Sequence, residues 1–159
     1  MGDPTLVGEG DAAPDFSGPR DGGETLSAAE LSGGTVVLYF YPKDDTSGCT
    51  REAIEFTEHL EAFKAAGAMI VGVSKDSVKK HDKFRDKHGL GVALVSDEAG
   101  DICERYGVWV EKSMYGKKYM GVERSTFLIR DGVIRKAWRK VSVPGHVAEV
   151  LEAAQALQG

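Results

Sequence analysis

A chain of 159 residues with 25 acidic and 20 basic side chains carries a net charge of −5, the wrong sign for an electrostatic nucleic-acid or anionic-membrane footprint. The length is that of one domain spanning residues 1–159, long enough to bury roughly 70% of its unfolded surface. Residues 1–10 lack a basic stretch followed by an apolar one, Leu6 breaks the myristoylation pattern, and the apolar runs are strand-sized. Neither export nor membrane spanning is expected, so the location read from the sequence is cytoplasmic.

In chain order, Ser27-Ala28-Ala29-Glu30 is a capping-box pattern that predicts a short helix. Residues 35–41, 69–74 and 92–96 are compact apolar runs bounded by Gly, Ser, Asp or Pro, and predict buried strands. Between the first two, Cys49, Ala53, Phe56, Leu60 and Phe63 recur at helical spacing, predicting one helix to about residue 66 with an inward apolar face. The run 79–88 mixes basic residues with aspartates and predicts a solvated helix face, with His81 and Phe84 at the edge of the core. A short helical segment follows over residues 97–106. Residues 111–122, rich in Lys and Gly, predict a surface loop that delivers Arg124 to a strand start. Asp131-Gly132 between two apolar runs predicts a hairpin over 125–138, and a last helix runs from about 144 to 157. Strands alternating with helices, then a hairpin and a terminal helix, give an α/β class: a mixed central β-sheet flanked by helices. Trp109 and Trp138 are expected to pack.

The chemistry centres on Cys49. It stands where an apolar strand ends, a polar turn follows and a helical pattern begins, so partial positive charge at the helix start favours its thiolate, the nucleophilic form. Thr46 lies three residues earlier across the turn, and Pro42 stiffens the strand exit. Ionising a thiol of ordinary pKa near 8.5 gains only about 30-fold at pH 7, so a fast thiol enzyme also needs fixed donors for charge on the leaving atom. Arg51 and Arg124 are the candidates. The bland alternative is a buried structural thiol. Cys49 and Cys103 form no C-x-x-C pair and no disulfide framework, and the four histidines lack metal-ligand spacing.

The run from Pro42 through Thr46 to Cys49, Arg51 and Glu52 resembles the P-x-x-x-T-x-x-C motif of the peroxiredoxins, and Phe40-Tyr41-Pro42-Lys43-Asp44-Asp45-Thr46 resembles the wording of their Q-type, bacterioferritin-comigratory-protein branch. Gly10 to Phe16, Gly72-Val73-Ser74, Ser96-Asp97, Tyr106 to Trp109 and Arg124 to Phe127 are similar in order and spacing, so the likeness covers residues 6–157. It implies a thioredoxin-like fold with an N-terminal extension, and a thiol peroxidase that reduces hydrogen peroxide and organic hydroperoxides without metal or other cofactor. By that resemblance Cys49 is the peroxidatic cysteine that becomes a sulfenic acid. Thr46 bonds thiolate and peroxide, Arg124 stabilises both, Pro42 shields the pocket, and Glu52 orients an arginine.

Q-type members carry a resolving cysteine five residues after the first or on the next helix. Here the first position is Ile54, and residues 77–88 contain no cysteine. The expectation is therefore a one-cysteine cycle, with thioredoxin, glutaredoxin or glutathione as external reductant, in a monomer or weak homodimer. Cys103 is read as structural, with resolver as the alternative, and a disulfide between chains stays open. Two other classes remain: a thiol–disulfide oxidoreductase, and a non-enzymatic binding module on the same fold.

Overall fold

The computed structural model describes residues 7–31 and 33–158; Met1 to Leu6, which carry the leader and acylation readings, lie outside the described residues. A sheet ordered β5-β4-β3-β8-β9 forms the centre, with β3 (Thr35–Phe40), β4 (Ala68–Ser74) and β5 (Ala93–Ser96) mutually parallel. β8 (Ser125–Arg130) runs antiparallel to β3, and β9 (Val133–Trp138) antiparallel to β8. Parallel neighbours need crossovers, which here are helical: α1 (Ser47–Glu58) and α2 (Leu60–Ala65) link β3 to β4, and α3 (Val78–His88) links β4 to β5. α4 (Ile102–Arg105) follows β5, and α5 (His146–Gln158) closes the chain. A small hairpin of β1 (Ser17–Pro19) and β2 (Thr25–Ser27), then a 3₁₀ turn at Ala28–Leu31, precede β3.

Alternation along β3 divides the interior in two. Val37, Tyr39 and Tyr41 enter one apolar cluster with Cys49, Ala53, Phe56 and Phe63 from α1 and α2, Phe84 from α3 and Val150 from α5. Val36, Leu38 and Phe40 enter the other with Phe16, Leu26, Ile102, Cys103 and Tyr106. Side chains on a strand alternate sides, so the sheet lies between the two clusters. Tyr39 pairs with Gly72 on β4, where a Cβ would come within 2.7 Å of its ring, and its ring stacks on Phe56 at 4.7 Å. Gly72 thereby lets an aromatic lie flat beneath the helix that carries Cys49.

Three expectations are corrected. The helix predicted to residue 66 is broken at His59, whose ring Nδ1 stands 2.8 Å from the Glu55 carbonyl, although the apolar face continues from Phe56 to Phe63. Residues 111–122 are not a loop. They belong to the antiparallel pair β6 (Trp109–Met114) and β7 (Lys117–Val122), closed by Tyr115 and Gly116 at φ 52° and 79°. The two positive φ values are those of a tight type I′ turn. Finally His81 is fully buried rather than at the core edge. The Asp131-Gly132 turn forms as predicted, at φ 52° and 78°.

Candidate active site

Between β3 and α1 the chain turns on buried polar groups, which must find partners because water is excluded. The Tyr41 hydroxyl donates to Asp44 Oδ1 at 2.6 Å, and His81 Nδ1 lies 2.6 Å from Asp44 Oδ2 while its Nε2 meets the Val95 carbonyl at 3.1 Å. The Asp44 amide donates to Asp76 Oδ2 at 2.8 Å, an oxygen that also accepts from Ser74 Oγ. Asp45 then takes φ 62°, a left-handed conformation unusual for a residue with a side chain. Its carboxylate meets Lys87 Nζ at 2.7 Å and His88 Nε2 at 2.9 Å. These contacts hold the turn against α3.

Thr46 is the N-cap of α1 in extended conformation, but its hydroxyl donates to the Lys43 carbonyl at 2.8 Å and caps no helix N–H. First-turn amides without a side-chain cap are free donors at the positive end of the helix. Cys49 lies in that turn, 1% exposed, with its sulfur in the cluster under α1. Arg124, immediately before β8, reaches it: Nη2 donates to Sγ at 3.2 Å, and Nη1 donates to Glu52 Oε1 at 2.7 Å. Cys49 and Glu52 are three apart on α1 and so face the same way. A charged donor shared in this way is fixed in position and interacts more strongly with an anionic sulfur than with a neutral one.

Glu52 is fully buried and its Oε2 has no hydrogen-bond partner among the described residues; the Tyr39 hydroxyl is the other such atom. Burial pushes the Glu52 carboxyl up to about 7, outweighing the attraction of Arg124. For Arg124, burial disfavours the charge, but the nearby Glu52 and Cys49 charges win and hold its pKa above the ordinary value. Burial raises the Tyr39 hydroxyl, with help from the charges of Glu52 and Cys49.

The other sequence candidates are placed differently. Arg51 is exposed and bonds Glu55 Oε1 at 2.9 Å one turn along α1, so it is not the cation at the sulfur. Pro42 is exposed at the strand exit. Ile54 is half-buried against the cluster that holds Cys49 and lines a groove with Thr50 and Glu55. Cys103 is fully buried on α4, with its amide donating to Asp97 Oδ2 at 2.9 Å. Burial, with the Asp97 charge adding to it, pushes the Cys103 thiol far above the ordinary range, where it is a poor nucleophile. Its cluster is the one across the sheet from Cys49. The buried set of Asp44, Asp76 and His81 went unrecognised in the sequence, where adjacent aspartates in a turn signal only a polar loop. Among the described residues no group of three or more His, Cys, Asp or Glu is arranged to hold a metal ion, and no helix is long and apolar enough to cross a membrane.

A thioredoxin-like sheet with a buried thiol in the first turn of a helix, hydrogen-bonded by a carboxylate-held arginine, defines a class of proteins built around a single reactive thiol. Comparison with known proteins narrows the class. The profile described as the AhpC/TSA family matches residues 9–137. A putative peroxiredoxin Bcp of Coxiella burnetii is 52% identical over 89% of this chain and 95% of its own length. The peroxiredoxin Bcp of Bacillus subtilis is 49% identical over 90% and 92%. The solved structure of the bacterioferritin comigratory protein of Xanthomonas campestris superposes with a TM-score of 0.86 at 45% identity, over 91% of this chain and 92% of that one. The chain belongs to the AhpC/TSA family, within its Q-type or Bcp peroxiredoxins, and is a thiol-dependent peroxidase that consumes a hydroperoxide and a thiol reductant. The thiol–disulfide oxidoreductase and binding-module readings are not favoured.

Proposed function

We propose that Cys49 is the peroxidatic thiol and that it works in a one-cysteine cycle. The thiolate attacks one peroxide oxygen. An S–O bond forms as the O–O bond breaks, and the distal oxygen leaves with the bonding pair and takes a proton to become water or an alcohol. The enzyme is left as a sulfenic acid. One external thiol then displaces water to give a mixed disulfide, and a second releases the Cys49 thiol. The observation that carries this reading is the Arg124 guanidinium, 3.2 Å from Sγ and anchored on Glu52. As charge moves from sulfur to the leaving oxygen, a donor already fixed beside the sulfur stabilises it without reorganising.

Glu52 is the positioning residue for Arg124. The Thr46 hydroxyl, donating to Lys43, keeps lone pairs with which to accept the peroxide O–H. Pro42 contributes no N–H and bounds the outer side of the turn. The external reductant is a thioredoxin, a glutaredoxin or glutathione. Support for an outside thiol is the position of Cys103, in the apolar cluster on the other side of the sheet. Hydrogen peroxide and organic hydroperoxides are the substrates, and the Xanthomonas relative is described by its alkyl peroxide reduction activity. We read the chain as one domain, working as a monomer or weak homodimer in the cytoplasm.

The test is intact mass and dimedone labelling of reduced protein after one equivalent of hydrogen peroxide. An adduct on Cys49 alone supports the one-cysteine cycle. A Cys49–Cys103 disulfide overturns it, and no change at either thiol overturns the assignment of Cys49.

A further inference from the structure

β3 and β4 are parallel neighbours, so their C-terminal ends open on the same edge of the sheet. From the first the chain runs through residues 41–46 into α1, and from the second through residues 75–77 into α3. One hydrogen bond joins the two turns: the Asp44 amide donates to Asp76 Oδ2 at 2.8 Å. The acceptor has little freedom. Ser74 Oγ donates to the same oxygen at 2.7 Å, the Asp76 amide donates to Ser74 Oγ at 3.2 Å, and Ser96 Oγ donates to the Asp76 carbonyl at 2.6 Å. Asp76 is buried with both serines, and a charged acceptor there holds its donors firmly.

The Asp44 amide belongs to the same peptide unit as the Lys43 carbonyl, and a planar peptide turns as one body. That carbonyl accepts from the Thr46 hydroxyl at 2.8 Å. Carboxylate, peptide and hydroxyl therefore stand in one chain of hydrogen bonds, and each bond polarises the next. Asp44 is also pinned by its own side chain, between the Tyr41 hydroxyl and His81 Nδ1, both at 2.6 Å. Those contacts fix the place of residue 44, and Asp76 fixes the direction of its peptide. A hydroxyl has one proton, and where that proton points decides what the oxygen can do. With the proton committed to Lys43, Thr46 meets an incoming O–H as an acceptor, and Thr46 is exposed, so a small peroxide can reach it. With the carbonyl turned away, the same proton is free to rotate onto the thiolate or the peroxide oxygen, and the substrate O–H loses its acceptor.

We infer that Asp76 is a positioning residue of the peroxidase: through the Lys43–Asp44 peptide it fixes the Thr46 hydroxyl as the hydrogen-bond acceptor for the substrate O–H. The inference rests on the role of Thr46 proposed above and adds the residue that sets it.

The test is a double-mutant cycle on the second-order rate of Cys49 with hydrogen peroxide. It combines Thr46→Val, which keeps the side-chain shape and removes the hydroxyl, with Asp76→Ala and Asp76→Asn. Thr46→Val is expected to lose on the order of a hundredfold. Asp76→Ala should lose about tenfold, the cost of a misdirected group, and Asp76→Asn about threefold, because an acceptor oxygen stays while its charge goes. On the Thr46→Val background neither Asp76 substitution should cost anything further, since groups that act through one another do not add. Iodoacetamide alkylation of reduced Cys49 should keep its wild-type rate in Asp76→Asn, because it needs no acceptor at Thr46, whereas a loosened turn would speed it. Equal losses on both backgrounds, faster alkylation in Asp76→Asn, or wild-type peroxide rates in the Asp76 variants overturn the inference. If Asp76→Ala does not fold, Asp76→Asn carries the cycle alone. A wild-type rate in Thr46→Val removes the role of Thr46 and the inference with it, and it is read without any Asp76 variant, so the two failures are told apart.

Discussion

Gly48 lies beneath the guanidinium of Arg124: a Cβ added there would stand 3.2 Å from Nη2, the nitrogen that donates to Cys49. Gly48 is the second residue of α1 and its backbone is not left-handed, so alanine suits the helix there. Gly48→Ala is therefore expected to keep or slightly raise the melting temperature while displacing Nη2 by a few tenths of an ångström. The rate of hydrogen peroxide reduction should fall by roughly tenfold, as misplaced donors cost. Thermal melts beside stopped-flow kinetics check this, and a fully active variant would show that the donor can move freely.

Glu52 gives the stability of the protein a specific pH dependence. Its folded carboxyl is pushed up to about 7 from an ordinary 4.5, so the folded chain holds a proton that the unfolded chain has released. That contribution is complete below pH 4.5 and is lost as pH rises through 7. Glu52→Gln removes it. Against the wild type, the variant should gain in relative stability across that window, by an amount on the order of a few kcal/mol. Urea titrations at pH 4.5, 6 and 8 measure the difference. Above pH 7, where Glu52 is ionised, the same variant should lose peroxidase rate, since Arg124 loses its charged anchor.

His146 acts in the opposite direction. Burial holds its ring down to about 4 from an ordinary 6.5, and its Nε2 is 2.8 Å from Thr126 Oγ1. The neutral ring stabilises the fold above pH 6.5, and this share is lost as pH falls through 4. A His146→Asn variant should show a flatter acid limb in its denaturation midpoint than the wild type.

Cys103 tests the cycle. Cys103→Ala should leave the peroxide rate within twofold and leave the Cys49 sulfenic acid open to dimedone, at a stability loss of about 1 kcal/mol for the removed buried atom. Loss of turnover with an intact fold would make Cys103 a participant.

The reductive half-reaction depends on the turn that holds α1. Asp45, in its left-handed conformation, is fastened to α3 by Lys87 and His88. Asp45→Gly keeps the backbone geometry at no steric cost but removes both contacts. A small thiol should then reduce oxidised Cys49 several-fold faster, because the first turn opens more readily. An unchanged rate, with hydrogen exchange over residues 45–54 equally unchanged, would count against an opening step.

Much of this was legible in the sequence, for physical reasons. The strands β3, β4 and β5 are buried on both faces and so read as apolar runs. The Asp-Gly turn declares its positive φ values. Cys49, Glu52 and Arg124 could be named because motif wording fixes them, and the structure brings the three together. The β6–β7 hairpin was missed because its apolar side chains are exposed over most of its length, leaving no period-two pattern to read. Residue types alone left Arg51 and Arg124 both open as the cation at the sulfur, and the motif resemblance singled out Arg124. The satisfaction of Arg51 by Glu55, four residues on along α1, is a helix-surface pair that the sequence offered and that went unread. The partnership of Asp44 with His81, 37 residues apart, was invisible.

The sheet between the two sulfurs has a practical consequence. Cys49, though buried, sits in the first turn of a helix next to a turn held by polar contacts, whereas Cys103 is fully enclosed in the cluster on the other side of the central strands. A thiol reagent therefore meets two clocks in one molecule. Cys49 reports the frequency with which one helical turn lets go, and Cys103 reports the rarer event in which the whole domain comes apart. Measured side by side on a single unmodified chain, the two labelling rates give the free-energy distance between breathing and unfolding, with no engineered probe.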